Sequence, residues 1–376
     1  MNRLVALASA GVAALALAGS AFATPARHVD IVRSLTGTHV WTRTATTWSV
    51  RHFDPVGRPL GVRSGTVVAA AAKAATGTGR VFDPNPVVAL NDETLTDQKD
   101  ADYPALAPAY VAARLTNLDG SGFLRGPYAD VSGTTSPAYS ASLDFSYGRA
   151  DARFEQVMAY YAVNNAQEYI HSLGFTNVNN EPQRLKADKW GQDNSAYYPN
   201  YDTIKFGKGD VDDAEDVEVI WHEYGHAIQD DQVKGYGTTL EAGSIGEGFG
   251  DYWAFTMSVG NNPRDPACIA DWDSTSYADG PPFCLRRVDT NLHWPEDRAS
   301  DVHANGQLWS RALYDIHRAV GRTVTDRIVL ESQFLYTPDE SFAAASNAAI
   351  ATAQRLYGKK AAQVATDAFA ARGFIR

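Results

Sequence analysis

Two histidines and a glutamate in the string His222-Glu223-Tyr224-Gly225-His226 have the types and the spacing of a metal-dependent hydrolytic centre. If this segment is helical, residues i and i+4 lie one turn apart on the same face, so both imidazoles can bind one zinc ion. Glu223 then lies beside the metal, where its carboxylate can act as general base toward a water molecule. A catalytic zinc ion also needs a third protein ligand and an open position for water. The string therefore predicts a zinc-dependent hydrolase that takes its third ligand from elsewhere in the chain.

Acidic residues downstream of the pair are the candidates for that third ligand. A further histidine close by is excluded, because none occurs between His226 and His293. Glu247 is preferred, since it lies one helical turn before Asp251 and both carboxylates would face the same way. Asp251 could then accept the free N–H of a zinc-bound histidine and fix its tautomer. Glu241 is the alternative third ligand.

Several elements are predicted around these residues. Apolar residues recur at helical spacing over 154–173, and Gly174 is placed to end that helix. Two short strands are expected at 194–198 and 203–206, and another helix is expected to open at Asp301. Asp212, Asp213 and Asp216 precede the zinc helix, where acids favour a helix N-terminus; a calcium site is the alternative explanation.

The order of these patterns sets the expected architecture. The chain has 376 residues, of which 44% are hydrophobic, so it can bury a large core. Strand-like alternation comes first and helical periodicity last, which predicts an α+β fold. We expect a strand-rich N-terminal region at 24–130, followed by a second domain at 131–376. That domain would contain the zinc helix near 213–230 and a helical C-terminal subdomain from about 240.

The N-terminus and the charge bear on location and partners. A short basic start is followed by an apolar run and Ala21-Phe22-Ala23, which predicts a signal peptide over residues 1–23, export, and no stable membrane anchor after cleavage. The product would be secreted or periplasmic. A net charge of -11 argues against nucleic acid as a partner. The two cysteines, Cys268 and Cys284, are expected to form a disulfide in an exported chain.

Residues 222–226, 246–251 and 302–309 together resemble the thermolysin-like gluzincins, and most closely the fungalysin family of secreted metallopeptidases. The resemblance spans about residues 154–376. It implies that His222, His226 and Glu247 bind one zinc ion and that Glu223 is the base. His303 resembles the family's donor to the developing oxyanion, with Asp301 or Asp297 as its partner, and Tyr236 is a second candidate donor on spacing.

The resemblance also bears on substrate binding. Asn194, Ser195 and Ala196 resemble the edge strand on which gluzincins hold an extended peptide. We therefore predict a monomeric zinc endopeptidase that acts on peptides or proteins, with its active-site cleft between a strand-containing half and a helical half. Ca²⁺ is a candidate second cofactor. The alternatives are a non-catalytic exported binding or structural protein stabilised by zinc, and a zinc aminopeptidase with Glu241 as the acidic anchor for the substrate's amino group.

Overall fold

The computed structural model describes the backbone of residues 28–34, 37–43, 47–53 and 59–66, and residues 74–376, without the side chains of 188–190. The predicted signal peptide at 1–23 lies outside these residues. The chain divides into two compact units, residues 1–69 and 70–376. The domain boundary near residue 130 stays a prediction.

In the first unit, four strands form an antiparallel sheet in chain order. They are β1 His28–Ser34, β2 Gly37–Arg43, β3 Thr47–Phe53 and β4 Pro59–Thr66. All four strands lie within residues 24–130, where a strand-rich region was expected.

The second unit contains three sheets. Their strands are β5 Ala75–Val81, β6 Val111–Leu118, β7 Ala129–Asp130, β8 Asp144–Phe145, β9 Gln183–Trp190, β10 Ala196–Tyr198, β11 Thr203–Gly207, β12 Cys268–Ile269 and β13 Arg286–Arg287. The described strands are ordered β6-β5-β8, β10-β11-β9-β7 and β12-β13. Strand β10 pairs antiparallel with β11 and lies at the end of its sheet, so one of its edges has no partner strand among the described residues.

Helices dominate the C-terminal half of the second unit, and the α+β prediction is therefore confirmed. The helices are α1 Pro86–Leu90, α2 Phe154–Ser172, α3 Val217–Gln232, α4 Leu240–Ser258, α5 Val302–Val320, α6 Arg322–Gln333, α7 Phe342–Tyr357 and α8 Lys359–Ala371. Helix α2 ends as expected before Gly174, whose φ of 97° suits glycine. No helix in the described part of the chain is long and apolar enough to span a bilayer.

Side-chain caps set where the three site-bearing helices begin. Asp216 accepts a hydrogen bond from the Glu218 amide at the start of α3. Thr239 accepts one from the Ala242 amide at the start of α4. Asp301 accepts from the Ala304 amide at the start of α5. Each cap satisfies a backbone N–H that the helix itself leaves unpaired. The caps therefore fix the rotational position at which each helix presents its functional side chains.

Helices α3 and α4 cross at very short range, because glycines meet at the crossing. A Cβ on Gly225 would lie 3.0 Å from Cα of Gly250. A Cβ on Gly250 would lie 2.7 Å from Nδ1 of His222. This close approach brings Glu247 and Asp251 of α4 against the histidine face of α3. Buried aromatic rings on both helices, including Tyr224 and Phe249, surround the crossing.

Candidate metal centre and catalytic cleft

Three side chains from α3 and α4 converge on one point. The Nε2 atoms of His222 and His226 lie 3.1 Å apart. Glu247 Oε2 lies 3.3 Å from Nε2 of His222, and Oε1 lies 3.6 Å from Nε2 of His226. Ligand atoms this close can bind a single cation. The structure thus brings the preferred triad together, whereas Glu241 lies elsewhere and accepts a hydrogen bond from the Phe342 amide at the start of α7.

Asp251 and Arg286 support the triad through contacts with His222 and with each other. Oδ1 of Asp251 lies 2.9 Å from Nδ1 of His222, and the Arg286 guanidinium donates to both Asp251 oxygens at 2.8–3.0 Å. Both side chains are buried, and Arg286 with His222 lowers the pKa of Asp251 to about 2 against the effect of burial. With Nδ1 directed at an ionised carboxylate, Nε2 of His222 is the nitrogen that faces His226 and Glu247, and it can bind a metal once it has lost its proton.

The donor set fits a zinc ion. Two imidazoles and one carboxylate are the ligands of many catalytic zinc sites, and here the largely buried Glu247 carboxylate has an oxygen within 3.6 Å of each imidazole Nε2. Burial lowers the pKa of His222, but hydrogen bonds to Asp251 and Glu247 outweigh it and raise the pKa to about 10. Burial lowers the pKa of His226. A metal ion would displace the His222 proton, so metal binding should release protons.

A cleft of about 670 Å³ opens in front of the triad. Glu223 lines this cleft beside His222, and its Oε2 is buried without a hydrogen-bond partner among residues 74–376. A carboxylate that lines the cleft and has an oxygen without a protein hydrogen bond retains the capacity to accept a proton there. The structure therefore places Glu223 where a general base would be needed.

His303 lies on the rim of the same cleft. Its Nε2 is 3.5 Å from Oε2 of Glu247, and its Nδ1 is 3.4 Å from Oδ2 of Asp301. Of the two candidate partners for His303, Asp301 is therefore the one in contact with it. Asp297, the other candidate, accepts a hydrogen bond from the backbone N–H of His293.

Tyr236 also lines the cleft. Its hydroxyl is buried and has no hydrogen-bond partner within the described chain, and its ring stacks on Tyr336 at 6.2 Å between centroids. Burial raises its pKa well above the usual range, so the hydroxyl keeps its proton and can donate it.

The segment Asn194-Ser195-Ala196 forms one wall of the cleft at the start of β10. Ala196 pairs with Lys205 of β11, and the Ser195 hydroxyl donates to Asp213 at 2.5 Å. The other edge of β10 has no partner strand in the described part of the chain, so main-chain groups there can pair with an extended peptide.

The acids before α3 do not converge on one point, as a calcium site built from them would require. Asp216 turns inward, caps α3 and accepts a hydrogen bond from the Trp272 amide. Asp213 instead lies near Asp193 and Asp273, and one carboxylate oxygen from each lies within 4.8 Å of the others. These three residues come from separate loops, so no local pattern in the sequence could have identified the cluster.

The cysteines form the expected disulfide between Cys268 and Cys284. Cys268 lies in β12, which pairs with β13, and the bridge therefore holds the strand that carries Arg286. Sequence reasoning missed Arg286. Its only signal was its position two residues after a bridged cysteine, which did not indicate contact with Asp251.

Comparisons with known proteins agree with this geometry. Residues 201–374 match the model of the family described as fungalysin metallopeptidase (M36). An extracellular metalloproteinase 4 of Arthroderma gypseum is 26% identical over 172 residues, covering 42% of this chain and 24% of the relative. A gelatinase of Enterococcus faecalis is 26% identical over 172 residues, covering 43% of this chain and 34% of the relative. The chain thus spans about a quarter to a third of the length of these curated relatives.

A solved structure extends the likeness to the fold. The precursor of protealysin, a metalloproteinase from Serratia proteamaculans, superposes with a TM-score of 0.50 at 16% identity, over 66% of this chain and 86% of the precursor. The region aligned by sequence contains His222, His226, Glu247, Asp251 and His303. Over residues 201–374, somewhat less than half of its length, the chain is thus similar to the fungalysin metallopeptidases, and its fold is similar to that of the protealysin precursor.

Proposed function

We propose that this chain is a secreted zinc-dependent endopeptidase. The observation that carries the proposal is the convergence of His222, His226 and Glu247 beside Glu223 in an open cleft. The match of residues 201–374 to a metallopeptidase family and the similarity to extracellular metalloproteinases support the same reaction and location. The aminopeptidase alternative loses its anchor, because Glu241 accepts from the Phe342 amide.

A zinc ion held by His222, His226 and Glu247 would supply Lewis acidity to a water molecule and to the substrate carbonyl. Glu223 takes the proton from the attacking water through its unpaired Oε2 and returns it to the leaving amine. This shuttle needs the carboxylate to face the cleft, which the i+1 position after His222 provides.

The developing oxyanion needs donors on the opposite side of the scissile bond. His303 lies with its Nδ1 3.4 Å from Oδ2 of Asp301, and its Nε2 is the ring nitrogen that can donate to the carbonyl oxygen. Tyr236 donates its unpaired hydroxyl from the same cleft. The main chain of 194–196 binds the peptide as an added strand and aligns it with the metal.

Hydrolysis of an unstructured protein such as casein tests the proposal. The zinc-loaded chain should cleave casein to internal fragments, lose this activity with a chelator and regain it with Zn²⁺. Glu223→Gln should retain zinc but lower kcat by about 10²-fold or more. The matched control is Glu296→Gln at an exposed glutamate, which should cleave normally. Zinc bound in one equivalent with no cleavage would support the non-catalytic alternative, and release of single amino-terminal residues would indicate an aminopeptidase.

A further inference from the structure

Three acidic side chains share the cleft with the metal centre but have no part in the mechanism above. Asp193, Asp213 and Asp273 each offer a carboxylate oxygen, and these oxygens lie within 4.8 Å of one another. All three residues line the cavity that also contains His222 and Glu223. Carboxylates this close repel one another unless one of them is protonated or a cation lies between them.

Two of these acids are incompletely hydrogen-bonded. Asp213 is 3% exposed and Asp273 is 5% exposed. One oxygen of each is satisfied, by the Ser195 hydroxyl at 2.5 Å and the Tyr277 hydroxyl at 2.6 Å, respectively. The other oxygen, Oδ1, is buried in both residues and has no partner among the described residues. A buried, unpaired carboxylate oxygen costs free energy, and a bound cation would remove that cost.

The described residues that line the cavity provide no spare counter-charge. Arg286 is the one Lys or Arg side chain among them. Its guanidinium is already held by both oxygens of Asp251. Burial, together with repulsion from Asp210, raises the pKa of Asp193 to about 6, in keeping with a surplus of negative charge. The complementary cation must therefore come from outside this part of the chain.

The position of the cluster indicates what brings that cation. Asp193 directly precedes the wall segment at 194–196, and Asp213 accepts the hydroxyl proton of Ser195 within that segment. Asp213 is also close enough to Glu223 for their charges to interact. A peptide lying along β10 with its scissile bond at Glu223 would thus have a side chain next to that bond directed toward the acids.

We propose that Asp193, Asp213 and Asp273 form a specificity pocket for a basic side chain, lysine or arginine, at one of the two substrate positions that flank the scissile bond. The proposal rests on the endopeptidase function proposed above. Arginine is favoured, because its planar guanidinium can donate to several carboxylate oxygens at once. A free divalent cation such as Ca²⁺ shares the same chemistry and is the competing occupant.

Matched peptides test the pocket. Internally quenched peptides that differ only by arginine, lysine, leucine or glutamate at each flanking position are compared on the zinc-loaded chain. We expect kcat/KM for arginine or lysine at one position to exceed that for leucine by about tenfold or more, since a charge-assisted pair in a desolvated pocket is strong. Glutamate at that position should be the poorest substrate.

Asp213→Asn and Asp273→Asn should each lower the arginine-to-leucine ratio of kcat/KM by about tenfold, and Asp279→Asn, at an exposed aspartate nearby, should leave it unchanged. This ratio is independent of how much of each variant is folded. Asp193→Asn, at a half-buried position, provides a second test if the buried variants fold poorly.

The outcomes separate the two proposals. Cleavage without a basic preference, or a preference that survives all three variants, would overturn the pocket but leave the endopeptidase intact. Cleavage that requires millimolar Ca²⁺ and shows no preference for a basic side chain would show that the three acids bind Ca²⁺ instead of the substrate. No cleavage of any peptide by the zinc-loaded chain would overturn both.

Discussion

Oδ1 of Asp251 lies 2.9 Å from Nδ1 of His222, across the crossing of α3 and α4. This pair sets the orientation of the His222 ring before any metal binds, because Arg286 holds the Asp251 carboxylate from its other side. The histidine Nε2 is therefore aimed at the shared point by contacts that belong to the fold. A ring that is oriented in advance loses less conformational freedom when zinc binds.

Asp251→Asn should weaken zinc binding by about 10- to 100-fold, because the amide cannot hold the Nδ1 proton as a carboxylate does. Competition with a chelator of known affinity measures the change. Asp315→Asn, which removes one partner of a more exposed ion pair with Arg311, is the control and should bind zinc normally. Equal zinc affinity in both variants would show that Asp251 does not support the ligand.

Gly250→Ala should disturb the same ring by contact. The added Cβ would lie 2.7 Å from Nδ1 of His222, so either the ring or the helix must move. We expect a loss of about 1–3 kcal/mol in the free energy of unfolding, as for other overpacked cores, together with weaker zinc binding. Gly260→Ala is the control, since nothing lies within 4 Å of its Cβ position. Chemical denaturation and chelator competition on both variants measure these effects.

The sequence predicts much of this centre because its parts obey short-range rules. His222 and His226 are one helical turn apart, and so are Glu247 and Asp251, so each pair is set by helix geometry alone. Asp301 caps the helix whose first turn contains His303, which is again local. The fold class follows from where strand and helix patterns occur along the chain.

The other parts of the site depend on contacts between segments that are distant in the sequence. Arg286 reaches Asp251 across 35 residues, through a strand whose position is fixed by pairing with β12 and by the disulfide. Asp193 and Asp273 meet Asp213 only after three loops are folded. Local reasoning favoured a helix N-terminus for the acids before α3, with calcium as the alternative, and Asp216 does cap α3, whereas Asp213 lies with Asp193 and Asp273. Tertiary packing decided these positions.

Breaking the Cys268–Cys284 disulfide should affect both stability and the metal centre. The bridge joins residues 16 apart, and closing a loop of that size stabilises a fold by about 3 kcal/mol through the unfolded chain. The Cys268→Ala/Cys284→Ala double variant should unfold at lower denaturant concentration and bind zinc less tightly, because β13 carries Arg286. Stability loss with unchanged zinc affinity would mean that strand pairing alone holds Arg286 in place.

His303→Gln should lower kcat by about 10²- to 10³-fold, the usual effect of removing one oxyanion donor. Its zinc content should remain at one equivalent, because His303 is not among the three converging ligands. The matched control is His293→Gln, at an exposed histidine that lies beside Asp297 rather than at the cleft. A raised KM with unchanged kcat on the internally quenched peptides would indicate that His303 contributes to substrate binding instead of transition-state stabilisation.

His317 should make the stability of the fold depend on pH, and it lies outside the metal centre. Burial, with nearby Arg322 and Arg318, lowers its pKa from 6.5 to about 4. Between these values the unfolded chain takes up a proton that the folded chain does not, so the free energy of unfolding falls as pH decreases from 6.5 toward 4.

His317→Gln should flatten this dependence between pH 5 and about 6.5, as measured by urea unfolding, whereas the exposed-site variant His293→Gln should follow the parent. Zinc affinity also varies with pH, but it does so in all three proteins, and the difference between them therefore isolates His317. Parallel curves for His317→Gln and the parent would show that this histidine is protonated as readily in the folded chain as in the unfolded one.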